Sequence, residues 1–177
     1  MTLEQRITRL EAIEAIKCLK ASYFEACDRK QPDLVRACFA PGAIDLRYGR
    51  IGAFDDREQM IEVFTELACS DHIIEMHHGQ NPRIEILDDT HATAHWGLYY
   101  YMIDTRRQTT TQLAGFYDDA YQCLDGHWLI TRSHYEVAST QILDLSDQHV
   151  ASIFAGGVAP ATLDDPNEQV DPAAGEQ

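Results

Sequence analysis

The chain has no Gly-x-Gly-x-x-Gly and no Gly-x-x-x-x-Gly-Lys-Ser/Thr run. The glycine-rich loops that cradle nucleotide phosphates are therefore missing, and flavin, nicotinamide or nucleotide chemistry has no support. His-Glu-x-x-His is also absent, and Glu75-x-His77 with the distant His95 and His134 matches no compact ligand spacing, so neither a metal nor any other cofactor is expected. Without Gly-x-Ser-x-Gly, the best sequence clue to a serine hydrolase is gone. The five cysteines (Cys18, Cys27, Cys38, Cys69 and Cys123) are odd in number and contain no Cys-x-x-Cys, which argues against a disulfide framework or a zinc ribbon and for reduced thiols in a cytoplasmic protein. No apolar run approaches the roughly 18 residues of a membrane span, and Met1 to Arg6 lead into a charged helix without an apolar segment; secretion and membrane insertion are not expected. Positive charge is scarce as well. Fourteen Lys and Arg against 29 Asp and Glu give a net charge of -15, which repels phosphate backbones and anionic membranes and suits a small neutral or apolar ligand.

What is present is enough for one full core. At 177 residues and 45% hydrophobic content, a single domain is expected. Leu3, Ile7, Leu10, Ile13, Ile16, Leu19, Tyr23 and Cys27 recur at three- and four-residue steps and mark a long amphipathic helix ending near Asp28. Pro32-Asp33 opens a short second helix through Phe39, and Pro41-Gly42 stops it. Ile44 to Tyr48 reads as a short strand. Asp55 with Glu58 resembles a helix cap, followed by the apolar face Met60, Ile61, Phe64 and Leu67. From about residue 72 the period becomes two, with strands expected at 72–79, 82–87, 91–103, 110–122 and 127–138. Helices first and a strand meander afterwards indicate an α+β fold, with helices packed on one face of a curved antiparallel sheet. Residues 1–143 are expected to form this domain and 144–177 an extension, in which Phe154 is a candidate lid over a pocket mouth and Val158 to Gln177 a mobile acidic tail.

Several blocks carry a specific resemblance. Arg9-Leu10-Glu11-Ala12-Ile13-Glu14-Ala15-Ile16-Lys17-Cys18-Leu19-Lys20, continuing through Tyr23 and Asp28 to Phe39-Ala40-Pro41-Gly42-Ala43, resembles the SnoaL-like branch of the nuclear transport factor two-like superfamily. Asp125-Gly126-His127-Trp128-Leu129-Ile130-Thr131-Arg132 is similar to the final strand of that family. The resemblance implies an α+β cone whose sheet curls around a deep apolar pocket. Within it, Tyr23 and Asp28 keep the spacing of the bile-acid 7α-dehydratases, and His77 falls where those enzymes and the γ-hexachlorocyclohexane dehydrochlorinases carry their catalytic histidine. The dehydrochlorinases have lysine where Tyr23 stands. Arg132 resembles an arginine that some of these lyases place on the last strand, and His95 and Tyr99 stand in for further contacts of the scytalone dehydratases.

Each residue also has a plainer reading. Asp28 at a helix end is ordinarily solvated or paired with Arg29 or Lys30. His77 and His78 face opposite sides of a strand, so only one of them enters a pocket, while Ile73, Glu75 and His77 share a face. Tyr23 sits on the apolar stripe as a core tyrosine would, and about 140° of helix rotation separates it from Asp28. Arg132 shares its expected face with Trp128, Ile130 and His134, where a structural salt bridge competes with a catalytic role. Trp96, Tyr100 and Met102 on one face, and His95, Tyr99 and Tyr101 on the other, read first as core, with Trp96, His95, Tyr99 and His78 as candidate substrate contacts. The expected activity is elimination without a cofactor. His77, oriented by Asp28, removes a proton from a small alicyclic or aromatic substrate, while Tyr23 and Arg132 act on the departing oxygen. Hydroxyl is the preferred leaving group; carbon–carbon cleavage with loss of formaldehyde and loss of halide use the same groups. An isomerase or cyclase of a polyketide- or steroid-like substrate, and a non-catalytic binding module, are the other classes. A homo-oligomer, dimer or trimer, formed through the outer sheet surface around strand 91–103 is expected.

Overall fold

The computed structural model describes residues 1–146. Phe154 and the segment Val158 to Gln177 lie outside the described residues. Helix α1 (Leu3–Asp28) begins with a reciprocal cap, in which Gln5 N–H donates to Thr2 Oγ1 at 3.2 Å and Thr2 N–H donates to Gln5 Oε1 at 2.8 Å. It ends where Lys30 adopts a positive φ of 56°, and α2 (Pro32–Ala37) follows with proline in its first turn. Strands β1 (Ala43–Arg47) and β2 (Ala53–Asp56) form a hairpin, of which the sequence showed only the first arm. Helix α3 (Arg57–Leu67) is capped by Asp56, one residue later than expected, its carboxylate accepting from Glu58 N–H at 2.8 Å.

Four long strands complete the fold: β3 (Ile73–Ile86), β4 (His91–Asp104), β5 (Thr109–Leu124) and β6 (His127–Asp144). The six strands lie in the order β2-β1-β6-β5-β4-β3. All neighbours are antiparallel except β1 and β6, which run parallel with Asp45 opposite Arg132. The expected break between 72–79 and 82–87 is a bulge inside one strand, with the register slipping between Gln80 and Arg83 and Asn81 at φ 50°. Because β3 is an edge strand, the missing N–H of Pro82 costs no ladder bond that a neighbour requires.

The sheet curls around the second half of α1. Ala92, Ala94, Trp96 and Leu98 of β4 turn inward with Ile16, Phe24, Phe39, Leu46 and Ile130. The apolar stripe of α1 is used only in part. Leu3, Ile7 and Leu10 are exposed, because packing against the core begins at Ala12 and Ile13. On the outer face, Met76, Tyr99 and Phe116 remain exposed. No helix among the described residues is long and apolar enough to cross a membrane.

Candidate active site

The last turn of α1 and the middle of β3 meet at one point. Asp28 accepts the backbone N–H of His77 at 3.1 Å on each carboxylate oxygen, and its Oδ1 lies 2.6 Å from His77 Nδ1. A carboxylate can only accept, so the contact places the ring proton on Nδ1 and leaves the Nε2 lone pair free. The two side chains are 15% and 13% exposed, shielded enough to strengthen the pairing and open enough to meet a ligand. Phe24 stacks on the imidazole, with ring centres 5.4 Å apart and planes within 8°, while the Tyr100 ring lies against it at 4.8 Å. The ring is thus held by a carboxylate at one edge and by aromatic walls around it.

His77 borders a cavity of about 200 Å³. Met60, Val63, Phe64 and Leu67 of α3 close one side, Leu98 and Leu113 supply the sheet floor, and Tyr23, Tyr48, Tyr100, Tyr117 and Tyr135 contribute their rings. A dry cavity near 150 Å³ holds one benzene, so the space suits a single substituted ring rather than a fused four-ring system. Tyr23 donates to Tyr48 across 3.4 Å between hydroxyl oxygens, both buried. Burial raises both phenols above the usual tyrosine range, and for Tyr23 the neighbouring Tyr48 adds to the rise. Both therefore remain protonated donors. Glu75, two residues before His77 on the same strand face, is 8% exposed and accepts from Tyr100 Oη at 2.7 Å. Burial first, then the Glu75 carboxylate, pushes the Tyr100 phenol up.

Beneath this floor lies a buried ion pair. Lys20 Nζ is 2.8 Å from Asp119 Oδ2, off the hydrogen-bond angle, so the attraction is chiefly Coulombic. Nζ also sits 3.8 Å from the centre of the Tyr117 ring. Asp119 Oδ2 accepts from Tyr121 Oη at 2.7 Å, which in turn accepts from Trp96 Nε1 at 3.0 Å. This network supports the cavity wall through Tyr117 without opening into the cavity.

The structure brings together three of the four residues singled out for catalysis, namely Asp28, His77 and Tyr23, and leaves Arg132 apart. Arg132 pairs with the exposed Asp118, because the β5–β6 register slips between Ala120, opposite Arg132, and Tyr121, opposite Ile130. That bulge at Thr131 reverses the alternation: Ile130, Ser133 and Tyr135 turn inward, whereas His134 bonds Asp45 at 2.7 Å. The candidate substrate contacts are also placed elsewhere. His95 stacks on Phe116 on the outer face, Tyr99 is exposed beside it, and His78 is exposed opposite His77. Trp96 points inward but is committed to Tyr121 below the floor. The strand alternation that puts His77 inside puts Glu75 there as well, a signal available in the sequence, whereas Tyr100 of β4 joins them through the register that pairs it with His77. Tyr48, Tyr117 and Tyr135 come from three separate strands or their ends and carry no local mark. Among the described residues, no group of three His, Cys, Asp or Glu side chains is placed to hold a metal ion.

A curved α+β cone enclosing an apolar cavity with a carboxylate–imidazole pair at its wall defines the class. The chain belongs to the SnoaL-like domain family, whose profile matches residues 8–134. Similar solved structures include a scytalone dehydratase-like protein from Novosphingobium aromaticivorans DSM 12444, with a TM-score of 0.72 and 20% identity over 77% of this chain and 90% of that one. Hexachlorocyclohexane dehydrochlorinase LinA-type3 from Novosphingobium barchaimii LL02 follows with a TM-score of 0.70 and 17% identity over 78% and 94%. A nuclear transport factor 2-like superfamily protein from Salmonella enterica serovar Typhimurium LT2 gives 0.64 and 16% over 76% and 94%. At these identities the likeness is one of fold.

Proposed function

We propose that the chain is a cofactor-independent lyase that eliminates water from a small alicyclic or aromatic hydroxylated substrate. The observation that carries this reading is the 2.6 Å contact between Asp28 and His77 Nδ1 at the wall of an apolar cavity. In the proposed step His77 Nε2 takes a proton from carbon, and the released electron pair forms the carbon–carbon double bond. The hydroxyl on the neighbouring carbon leaves with its bonding pair and takes a proton from Tyr23, so that water departs. For this the Tyr23 hydroxyl turns from Tyr48 to the leaving oxygen, Tyr48 turns to donate to the phenolate that remains, and solvent carries the proton from His77 back to Tyr23. A positioned base of this kind is worth about 10²–10⁴ in rate. The dehydratase- and dehydrochlorinase-type neighbours support elimination as the class, and the single-ring size of the cavity favours a small substrate over a steroid.

The test is a panel of cyclic alcohols and 1-arylethanols, which carry a C–H beside the carbinol carbon, with hydroxymethyl arenes as probes of formaldehyde loss, incubated in heavy water and analysed by mass spectrometry, with Asp28→Asn in parallel. A product lighter by one water, lost in the variant, supports the reading. Loss of formaldehyde would move the chemistry to carbon–carbon cleavage, deuterium gained at carbon with no loss of water would make the protein an isomerase, and bound but unchanged ligand would make it a binding module. The reading includes self-association through the outer face, where Met76, Tyr99 and Phe116 are exposed; a monomeric mass by light scattering would remove it.

A further inference from the structure

Glu75 is a carboxylate at the cavity wall, 8% exposed, and none of the ion pairs among the described residues includes it. Keeping an ionised carboxylate away from water without a cation is unfavourable unless donors compensate, and one phenol, Tyr100, supplies a single hydrogen bond to Oε2. A carboxylate accepts several such bonds, so Glu75 retains capacity that the described residues do not fill. His77, two residues on along the same strand face, directs its backbone N–H and its Nδ1 to Asp28 and gives no hydrogen bond to Glu75. Among the described residues the rest of the lining is apolar apart from its phenols and the Cys27 thiol, with no lysine or arginine.

We propose that Glu75 is a specificity-determining residue that accepts a hydrogen bond from a second hydroxyl of the ligand, remote from the reacting carbon, and that it excludes ligands carrying a carboxylate or phosphate at that place. The substrate class is then a ring bearing two hydroxyl groups, one at the reacting end beside His77 and one at Glu75. Tyr100 occupies Oε2 with its hydrogen bond and leaves Oε1 to the ligand. A site built around a buried acceptor discriminates strongly, because a ligand lacking the donor leaves that acceptor unpaired, whereas an anion meets like charge. This deepens the elimination reading and rests on it for the cavity used, but binding alone tests it, without turnover.

The experiment measures equilibrium binding of benzyl alcohol, 4-hydroxybenzyl alcohol and 4-(hydroxymethyl)benzoate by NMR shifts of the Leu98, Leu113 and Met60 methyl groups. In wild type, 4-hydroxybenzyl alcohol is expected to bind about 10-fold or more tightly than benzyl alcohol, with the benzoate not binding. Glu75→Gln should bring the two alcohols to within about twofold and admit the benzoate, since the new amide can donate to an anion. Asp28→Asn should leave the preference intact, so that loss of activity there and loss of selectivity at Glu75 are separable failures. Tyr100→Phe, which keeps the carboxylate and frees its Oε2, should preserve the preference and covers the case in which Glu75→Gln does not fold. A preference unchanged by Glu75→Gln, a preference lost in Tyr100→Phe, benzoate bound by wild type, or no binding of the second alcohol at millimolar concentration would each overturn the proposal.

Discussion

Asp28 holds His77 twice, by the backbone N–H at 3.1 Å and by the ring Nδ1 at 2.6 Å. The double attachment sets both the position of strand β3 against the end of α1 and the tautomer of the imidazole. Asp28→Asn keeps an oxygen for the backbone N–H but removes the charge that fixes the ring proton. Turnover is expected to fall by about 10³-fold with little change in substrate affinity. The checks are kcat and KM on a substrate identified by the alcohol panel, with ¹⁵N NMR of the imidazole reporting which nitrogen carries the proton. Unchanged kcat with a shifted tautomer would end the case for His77 as base.

Tyr23→Phe and Tyr48→Phe separate the two phenols. Loss of the Tyr23 hydroxyl removes the group proposed to protonate the leaving oxygen, and kcat is expected to drop by about 10²-fold. Tyr48 acts through Tyr23, so its loss should cost about 10-fold, and the double variant should resemble Tyr23→Phe alone. Additive losses would show that the hydroxyls act separately despite their 3.4 Å spacing.

A methyl group at Gly79 would meet Phe24 Cε2 at 2.5 Å, closer than two carbons tolerate. Phe24 is the ring stacked on His77. Gly79→Ala should therefore displace the aromatic wall of the base, lowering stability by about 1–2 kcal/mol and activity by more than that loss explains. Thermal unfolding and kcat measured on the same preparation distinguish the two effects.

The Lys20–Asp119 pair is sealed from solvent, with side-chain exposures of 1% and 0%. Burial lowers the Lys20 pKa, and attraction to Asp119 opposes that shift. Lys20→Met strands a buried carboxylate and Asp119→Asn strands a buried ammonium, so each is expected to cost about 3–5 kcal/mol in urea unfolding. Combining them should cost less than the sum, because the second change removes the group that the first left unpaired.

Asp88 in the β3–β4 turn accepts the backbone N–H of Thr90 at 2.7 Å and that of His91 at 2.8 Å. Chiefly the Thr90 hydrogen bonds hold its carboxyl down to about 2, against 3.8 for a free aspartate. Since the folded value lies below the unfolded one, the stabilisation is complete above pH 3.8 and is lost as pH falls toward about 2. Carbon-detected NMR titration of the side chain gives the value directly. Asp88→Asn should flatten that part of the stability profile.

Local pattern decided much of this protein. The three-to-four periodicity up to Cys27, the change to period two after residue 72 and the turn residues at Asp88-Asp89-Thr90 and Asp125-Gly126 were enough to place the main helices and the meander. Those signals lie within a few residues of one another and need no partner to be legible. Alternation also separated His77 from His78 onto opposite faces, while the choice of His77 for the pocket rested on the family resemblance.

Tertiary structure decided what local pattern does not encode. Whether Asp28 reaches His77 depends on how the end of α1 crosses β3, a contact between residues 49 positions apart. Arg132 leaves the face it is expected to share with Ile130 because a bulge, invisible in the residue types, shifts the phase of β6 by one position and sends its guanidinium outward to Asp118. The cavity draws its tyrosines from α1, β4, β5, β6 and the segment after β1, each of which alone reads as ordinary core. The sequence by itself determined which elements form and which residue types are available to them. Only the curvature and register of the sheet determined which side chains share one enclosed volume, because those depend on pairings made across the whole chain.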